Sequence, residues 1–260
     1  MGKASTLRLS DIRAAFRLIG DCRDVGDDPA RWQEVVMSGV CRLAGAASAT
    51  GGEGRWLRPS QLLQPATAHA FGLNDTGVAL LSSYMRDYGV NADPIYRRLQ
   101  HTSGRIVTRR RIELVSDHEW YRSPGFVDYR RRVYMDHQLT SMFQVSSTGA
   151  ASCIAIHREV GDQDFSDRER LLLSFFHVEL GRLIGGPLAS ALTSQQSLSP
   201  RLKQTLTCLV EGDSEKQAAL KMGISRTTVH QYVTILYRRF GVQSRAELIV
   251  KVLRRRMTPT

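Results

Sequence analysis

Two stretches near the start of the chain, Ser10–Cys22 and Pro29–Leu43, repeat apolar residues at three- and four-residue spacing, which predicts two helices. Further helices are expected at Asp75–Tyr88 and Asp93–Leu99. Later the pattern changes. Thr140–Ser146 and Ala151–His157 read as short strands, and the turn-rich SSTGA between them has hairpin length. A helix returns in FSDRERLLLSFFHVELGRLIGG. Ser166 and Glu169 stand at capping-box spacing, so it begins near Asp167; Gly185-Gly186-Pro187 supplies its stop. That helix is apolar around much of its circumference, which predicts burial. A strand pair followed by a long helix implies an α+β domain built on an antiparallel sheet.

From Gly185 the composition turns to Gly, Pro, Ser and Gln: GGPLASALTSQQSLSP. This reads as a helix stop followed by a linker. The chain is therefore divided into a regulatory domain at 1–184, a linker at 185–197 and a small C-terminal domain at 198–260.

Four short helices follow from the last 63 residues. Ser199-Pro200 places an N-cap and a first-turn proline, and Gly212 ends that helix after the stripe Leu202, Leu206, Leu209 and Val210. Ser214 with Gln217 forms a capping box for the second, which Gly223 ends. Only Ile224 and Ser225 separate that glycine from the third helix, with Ser225 as N-cap, which is a helix-turn-helix spacing. Ser244 and Glu247 open the fourth. Its residues Ala246, Ile249, Val250 and Leu253 form one apolar stripe and Leu248 with Val252 a second, enough to pack on its own domain and on a twin.

At about 100° per residue, Val229, Tyr232, Val233, Leu236 and Phe240 of the third helix share one arc and must face the core. Thr227, His230, Gln231, Thr234 and Arg238 lie opposite. The first four are short donors and acceptors suited to base edges, Arg238 suits a phosphate, and no acid interrupts the face. Charge agrees with this reading. The sequence carries a formal net charge of +11; residues 198–260 hold 12 Lys/Arg against 4 Asp/Glu, whereas the first 197 hold 24 against 21. A compact basic unit points to a polyanion.

These residues resemble the LuxR-type (NarL/FixJ) helix-turn-helix domain. The pieces that carry the likeness are L-S-P-R at the start, E-G at 211–212, K-Q-A-A at 216–219, G-I-S-x-x-T-V at 223–229 and G-V-x-S-R-A-E-L at 241–248. The resemblance implies a four-helix domain that binds double-stranded DNA as a homodimer through its last helix. It implies that Lys216 and Thr228 sit near phosphates and that the positions of His230, Gln231 and Thr234 read bases. The expected base-reading set is then Thr227, His230, Gln231 and Thr234, and the expected phosphate set is Lys216, Arg226, Thr228 and Arg238. RNA polymerase is a further candidate partner. Gln204 stands where the family commonly has Glu, so an internal salt bridge is expected to give way to a neutral hydrogen bond.

The segment SDHEWYRSPGFVDYRRRVYMDHQLTSMF with IAIHREVGDQDFSDRERLLLSFFHVELGRLIG resembles the GAF-like sensor region of some LuxR-type regulators. It implies a five- or six-stranded antiparallel sheet with flanking helices and a site for an unidentified small-molecule ligand. Two alternatives stay open: a homoserine-lactone receptor domain, for which Tyr84, Tyr88, Asp93, Trp120 and Tyr121 are available, and a non-sensing domain on a constitutive DNA-binding dimer. Those aromatics read first as core. The arginine runs 109–111 and 130–132 read as solvated faces or helix ends.

Enzyme motifs are missing: there is no G-x-S-x-G and no phosphate-binding glycine loop. His101, His118, Glu119, His137 and His157 match no metal-ligand spacing, so no metal and no cofactor is expected. Cys22, Cys41, Cys153 and Cys208 are far apart and read as buried thiols. No run approaches the roughly 20 apolar residues of a membrane span, and MGKASTLRLSDIRAAF has no signal-peptide core, so a cytoplasmic location is expected.

Overall fold

The computed structural model describes residues 6–56, 63–102, 104–145, 149–192, 200–240 and 242–257. The chain separates into two compact units, Met1–Leu192 and Thr193–Thr260.

In the first unit, α1 (Leu9–Asp24) and α2 (Pro29–Ala44) form where the periodicity places them. Asp28 caps α2 by accepting from the Ala30 and Arg31 amides, and Gly45 ends it in the left-handed region at φ 59°. Then come β1 (Ser48–Arg55), β2 (Gln64–Pro65) and β3 (His69–Phe71). The helix α3 (Asp75–Ser83) continues into a π-helical turn at Tyr84–Tyr88, and α4 (Pro94–Leu99) follows. After β4 (Ile106–Arg110) lie the short helices α5 (Arg111–Leu114) and α6 (Asp117–Trp120), then wide and tight turns at Gly125–Arg130 and Arg131–Val133. The unit closes with β5 (Met135–Gln144), β6 (Ala150–Glu159) and α7 (Asp167–Gly181).

Among the described residues the strands form a six-stranded antiparallel sheet in the order β2-β1-β6-β5-β4, with β3 also pairing to β1. One face carries Leu139, Ile154 and Ile156 into a core with α1, α2 and α7. The other carries Met142 and Ala151 into a core with Trp56, Tyr84, Ile95, Leu99, Trp120 and Phe126. An α/β domain with helical cover on both faces is thus observed.

One strand forms where the sequence pattern predicts none, and two expectations change. The strand β1 has the sequence SATGGEGR, with few of the side chains that mark a strand. Its glycines answer a close approach: a Cβ on Gly52 would lie 2.3 Å from the Thr67 carbonyl oxygen, and one on Gly54 2.6 Å from that of Gln64. The helix α7 ends at Gly181 rather than Gly185, because the chain reverses there; Gly185 has φ 87° and its amide donates to Leu188 O. Residues 185–192, expected as linker, fold back on the first unit. Leu188 is fully buried, Trp32 Nε1 donates to Ala189 O at 2.8 Å, and Ser190 bonds the Glu53 carboxylate. Residues 193–199, with the expected cap Ser199, lie outside the described residues, as do Ser146, Ser147 and Thr148 of the expected turn.

In the arginine runs, Arg131 and Arg132 are exposed and Arg111 and Arg130 stand at helix ends, as expected, but these last two are buried. Arg111 is 3% exposed and pairs with Asp117 and, at 3.9 Å, with Asp136; Arg130 is 8% exposed and pairs with Asp93 at 2.6 Å. Each guanidinium also lies over aromatic rings, Arg111 over Trp120 and Tyr121, Arg130 over Tyr84 and Trp120. Aromatic faces and a carboxylate make burial of a cation tolerable.

The second unit is four helices: α8 (Pro200–Val210), α9 (Glu215–Met222), α10 (Arg226–Phe240) and α11 (Arg245–Met257). Their shared core includes Leu209, Ala218, Met222, Val229, Val233, Leu236 and Leu248. Among the described residues no helix is long and apolar enough to cross a membrane.

Candidate nucleic-acid interface and an N-terminal cavity

The angle between α9 and α10 is set by local chemistry. Ser214 and Gln217 close a capping box at the start of α9, with the Ser214 amide donating to Gln217 Oε1 at 2.8 Å. Gly223 adopts φ 64°, a left-handed geometry that glycine reaches without strain. Ile224 then packs against the core, and Ser225 Oγ accepts the Thr228 amide at 3.1 Å to start α10.

With Val229, Val233, Leu236 and Phe240 buried, α10 must turn its other side outward. Thr227, His230, Gln231, Thr234 and Arg238 are all exposed, as are Lys216 and Arg226; Thr228 is half-buried. The side chains are not equally available. Thr234 Oγ1 donates to His230 O at 3.0 Å, so its hydroxyl proton is engaged while its lone pairs remain. Thr228 Oγ1 bonds Ser225 Oγ at 2.8 Å within the cap. His230 Nδ1 lies 3.2 Å from Glu215 Oε1, a contact that α9 supplies from 15 residues away. The Gln231 carboxamide, a donor and acceptor in one group, has no partner among the described residues. Lys216, Arg226 and Arg238 likewise form no ion pair among the described residues. Lys221, by contrast, is engaged by Asp213 at 2.6 Å and Glu211 at 3.6 Å, which holds its ammonium pKa above the usual value.

Gln204 Oε1 accepts from Arg201 Nη1 at 3.3 Å, a bond with a charged donor rather than the neutral one expected. Arg245 donates to Leu209 O at 2.8 Å and so ties α11 to the end of α8. On α11, Leu248 is buried, while Ala246 and Val250 are exposed, Val250 at 48%. The side chains of Leu253 and Arg254 to Arg256 lie outside the described residues.

The first unit holds a cavity of about 110 Å³ between the sheet and the segment from α3 to α4. Leu63, Leu80, Leu81, Val90 and Met142 give it an apolar wall; Thr50, Tyr84, Tyr96, Tyr129, Gln138 and His157 add polar atoms. Of the aromatic and acidic candidates, Tyr84 lines it. Tyr88, Asp93, Trp120 and Tyr121 do not. Asp93 is fully buried and accepts from Tyr84 OH at 2.8 Å, from Arg130 at 2.6 Å and from the Ile95 amide at 2.8 Å. Trp120 Nε1 and Tyr121 OH both donate to Asp136, at 3.2 and 3.0 Å. Burial and the Asp93 charge push the Tyr84 phenol pKa far up. Burial, helped by the Arg130 charge, pushes the His157 pKa down to about 3, so this ring is neutral; its Nε2 sits 3.1 Å from Thr50 Oγ1.

Sequence reasoning missed Thr50, Tyr96, Tyr129 and Gln138 here, and placed Arg130 only in a run read as solvated or at a helix end. Both faces of MDHQLTSMFQ are buried, so no alternation singles out Gln138, and its place in a cavity wall is a tertiary fact. Among the described residues no group of three or more His, Cys, Asp or Glu side chains is arranged to hold a metal.

Residues 196–252 match the family of bacterial regulatory proteins described as the luxR family. The second unit is thus a LuxR-type helix-turn-helix domain, a DNA-binding class. Among solved structures the chain is similar to Escherichia coli SdiA, at 14% identity over 87% of this chain and 90% of that one, with a TM-score of 0.43. It is similar to the LBD domain of VqsR from Pseudomonas aeruginosa, at 13% identity over 65% of this chain and 94% of that one, with a TM-score of 0.48. It is also similar to Vibrio cholerae VqmA, solved as a ligand–DNA complex, at 22% identity over 46% and 47%, with a TM-score of 0.23. The comparison with curated proteins returned no match.

Proposed function

We propose that the chain is a homodimeric, ligand-responsive transcription regulator that reads inverted-repeat DNA through α10. The observation that carries this reading is the outward side of α10: Thr227, Gln231 and Thr234 stay exposed within a LuxR-type unit, flanked by Lys216, Arg226 and Arg238, cations with no ion pair among the described residues. Thr227, His230, Gln231 and Thr234 contact base edges; Lys216, Arg226, Thr228 and Arg238 contact phosphates. The exposed Ala246 and Val250 of α11 form the seam between two copies, which sets two half-sites about one helical turn apart. The DNA-bound dimer has RNA polymerase as its further partner.

The first unit is read as a GAF-like sensor whose cavity takes a small molecule. A lactone receptor is less well supported, since Asp93 is already committed to Arg130, Tyr84 and Ile95. The test is selection from a random duplex pool by the full chain. Enrichment of an inverted repeat supports the reading. Recovery of sequences no different from the input pool refutes it.

A further inference from the structure

One buried polar atom in the first unit has nothing to bond. Gln138 is 1% exposed and lines the cavity; its Nε2 donates to Thr140 Oγ1 at 2.8 Å, while its Oε1 has no partner. An amide oxygen kept from water without a donor forfeits the hydrogen bond it had with solvent and destabilises the fold. That is a cost which a bound molecule can remove.

The cavity is also electrically closed. Four of its lining residues are of types that can carry charge near neutral pH: Glu53, His69, Arg130 and His157. The Arg130 charge is met by Asp93. The Glu53 carboxylate turns to the opposite sheet face, where Gln33 Nε2 (2.7 Å), the Ala191 amide (3.2 Å) and Ser190 hold it. His157 is neutral, and burial lowers the pKa of the half-buried His69 as well. No charge is left over for an ionic ligand, and an uncompensated ion would pay heavily for desolvation.

Size narrows the occupant further. An apolar cavity of about 150 Å³ takes benzene. A space of about 110 Å³ suits a single small ring rather than a long acyl chain.

We propose, building on the sensor reading above, that this cavity takes a small, neutral, largely apolar molecule carrying one hydrogen-bond donor, and that Gln138 Oε1 receives that donor. Gln138 is then the residue that selects among ligands of equal size. Its place explains why: the register shift between Met135 and Gln138 in the β5–β6 pairing re-aims the strand at this point.

Calorimetric titration of the full chain with three probes tests this. Benzyl alcohol is neutral and has a donor. Anisole has the same atoms and no donor. Benzoate is an anion of the same ring. The expected order is benzyl alcohol about tenfold tighter than anisole, with benzoate weakest. In Gln138→Leu, or Gln138→Met where the leucine variant folds poorly, the preference for benzyl alcohol over anisole disappears while anisole still binds. Equal affinity of the two neutral probes for the unaltered chain overturns the role of Gln138, and tightest binding of benzoate overturns neutrality; in both cases the sensor reading survives. No binding of any probe up to its solubility limit removes the sensor reading itself and this inference with it.

Discussion

Asp93→Ala should remove more stability from the first unit than any surface substitution could. Asp93 is 0% exposed and holds three donors: the Arg130 guanidinium, the Tyr84 hydroxyl and the Ile95 amide at the start of α4. Alanine leaves Arg130 buried over Tyr84 and Trp120 with no counter-charge. Breaking one side of a buried ion pair costs about 3–5 kcal/mol. The lost cap overlaps with this rather than adding fully, so about 4 kcal/mol is expected, a large share of the 5–15 kcal/mol typical of a domain. With a slope of about 3 kcal/mol per molar urea for a unit of this size, the unfolding midpoint should fall by about 1–1.5 M. Tryptophan fluorescence isolates the event, because all three tryptophans, Trp32, Trp56 and Trp120, are buried in the first unit. Asp93→Ala combined with Arg130→Met should recover most of the loss, since an apolar pair needs no compensation. A single variant within about 0.3 M urea of the unaltered chain, or a double variant no better than the single, would refute the argument that Asp93 compensates a buried charge.

Three further outcomes follow from other parts of the molecule. On DNA, Arg238→Ala should weaken all sequences alike and lower the salt slope by about 1, whereas Gln231→Ala should relax preference at one base position by about 1–3 kcal/mol; equal effects in a titration across salt and site variants would contradict this division of contacts. Acid should destabilise the first unit. Burial, with the Arg130 charge adding for His157, holds His157 and His177 near 3 against an ordinary 6.5. Both are neutral in either state above about 6.5; below it the unfolded chain alone binds the protons, and stability falls by about 1.4 kcal/mol per pH unit for each ring. Glu53, raised by burial, works in the opposite sense, so urea midpoints that fail to drop between pH 7 and 5 would show these histidines are not held neutral. Gly181→Ala should cost about 1–3 kcal/mol, because its Cβ would lie 2.3 Å from the Phe143 ring in a packed core; an unchanged melting temperature would mean α7 can shift freely on β5.

Much of the second unit was written in local signals. The Ser214–Gln217 box, the left-handed Gly223 and the Ser225 cap each act within three or four residues, so a linear reading finds them, and the core side of α10 follows from helical pitch. The same holds for Ser166–Glu169 at α7 and for α1 and α2. The sheet was only partly legible. β5 and β6 show inward apolar residues, but β1 is glycine-rich because the chain at 64–67 crosses over it, and that crossing has no local trace.

What the sequence alone determined was the chemistry of the third helix's outward side and the caps that position it, because both depend on spacing along one helix. What only the tertiary structure decided was which charges are spent. Glu215 reaches His230 across a turn, Asp93 neutralises Arg130 from 37 residues away, and Gln138 is left with an unanswered oxygen in the cavity wall. Electrostatic pairing and burial act through space, so residues distant in the chain settle them, and no pattern of neighbours can announce the result.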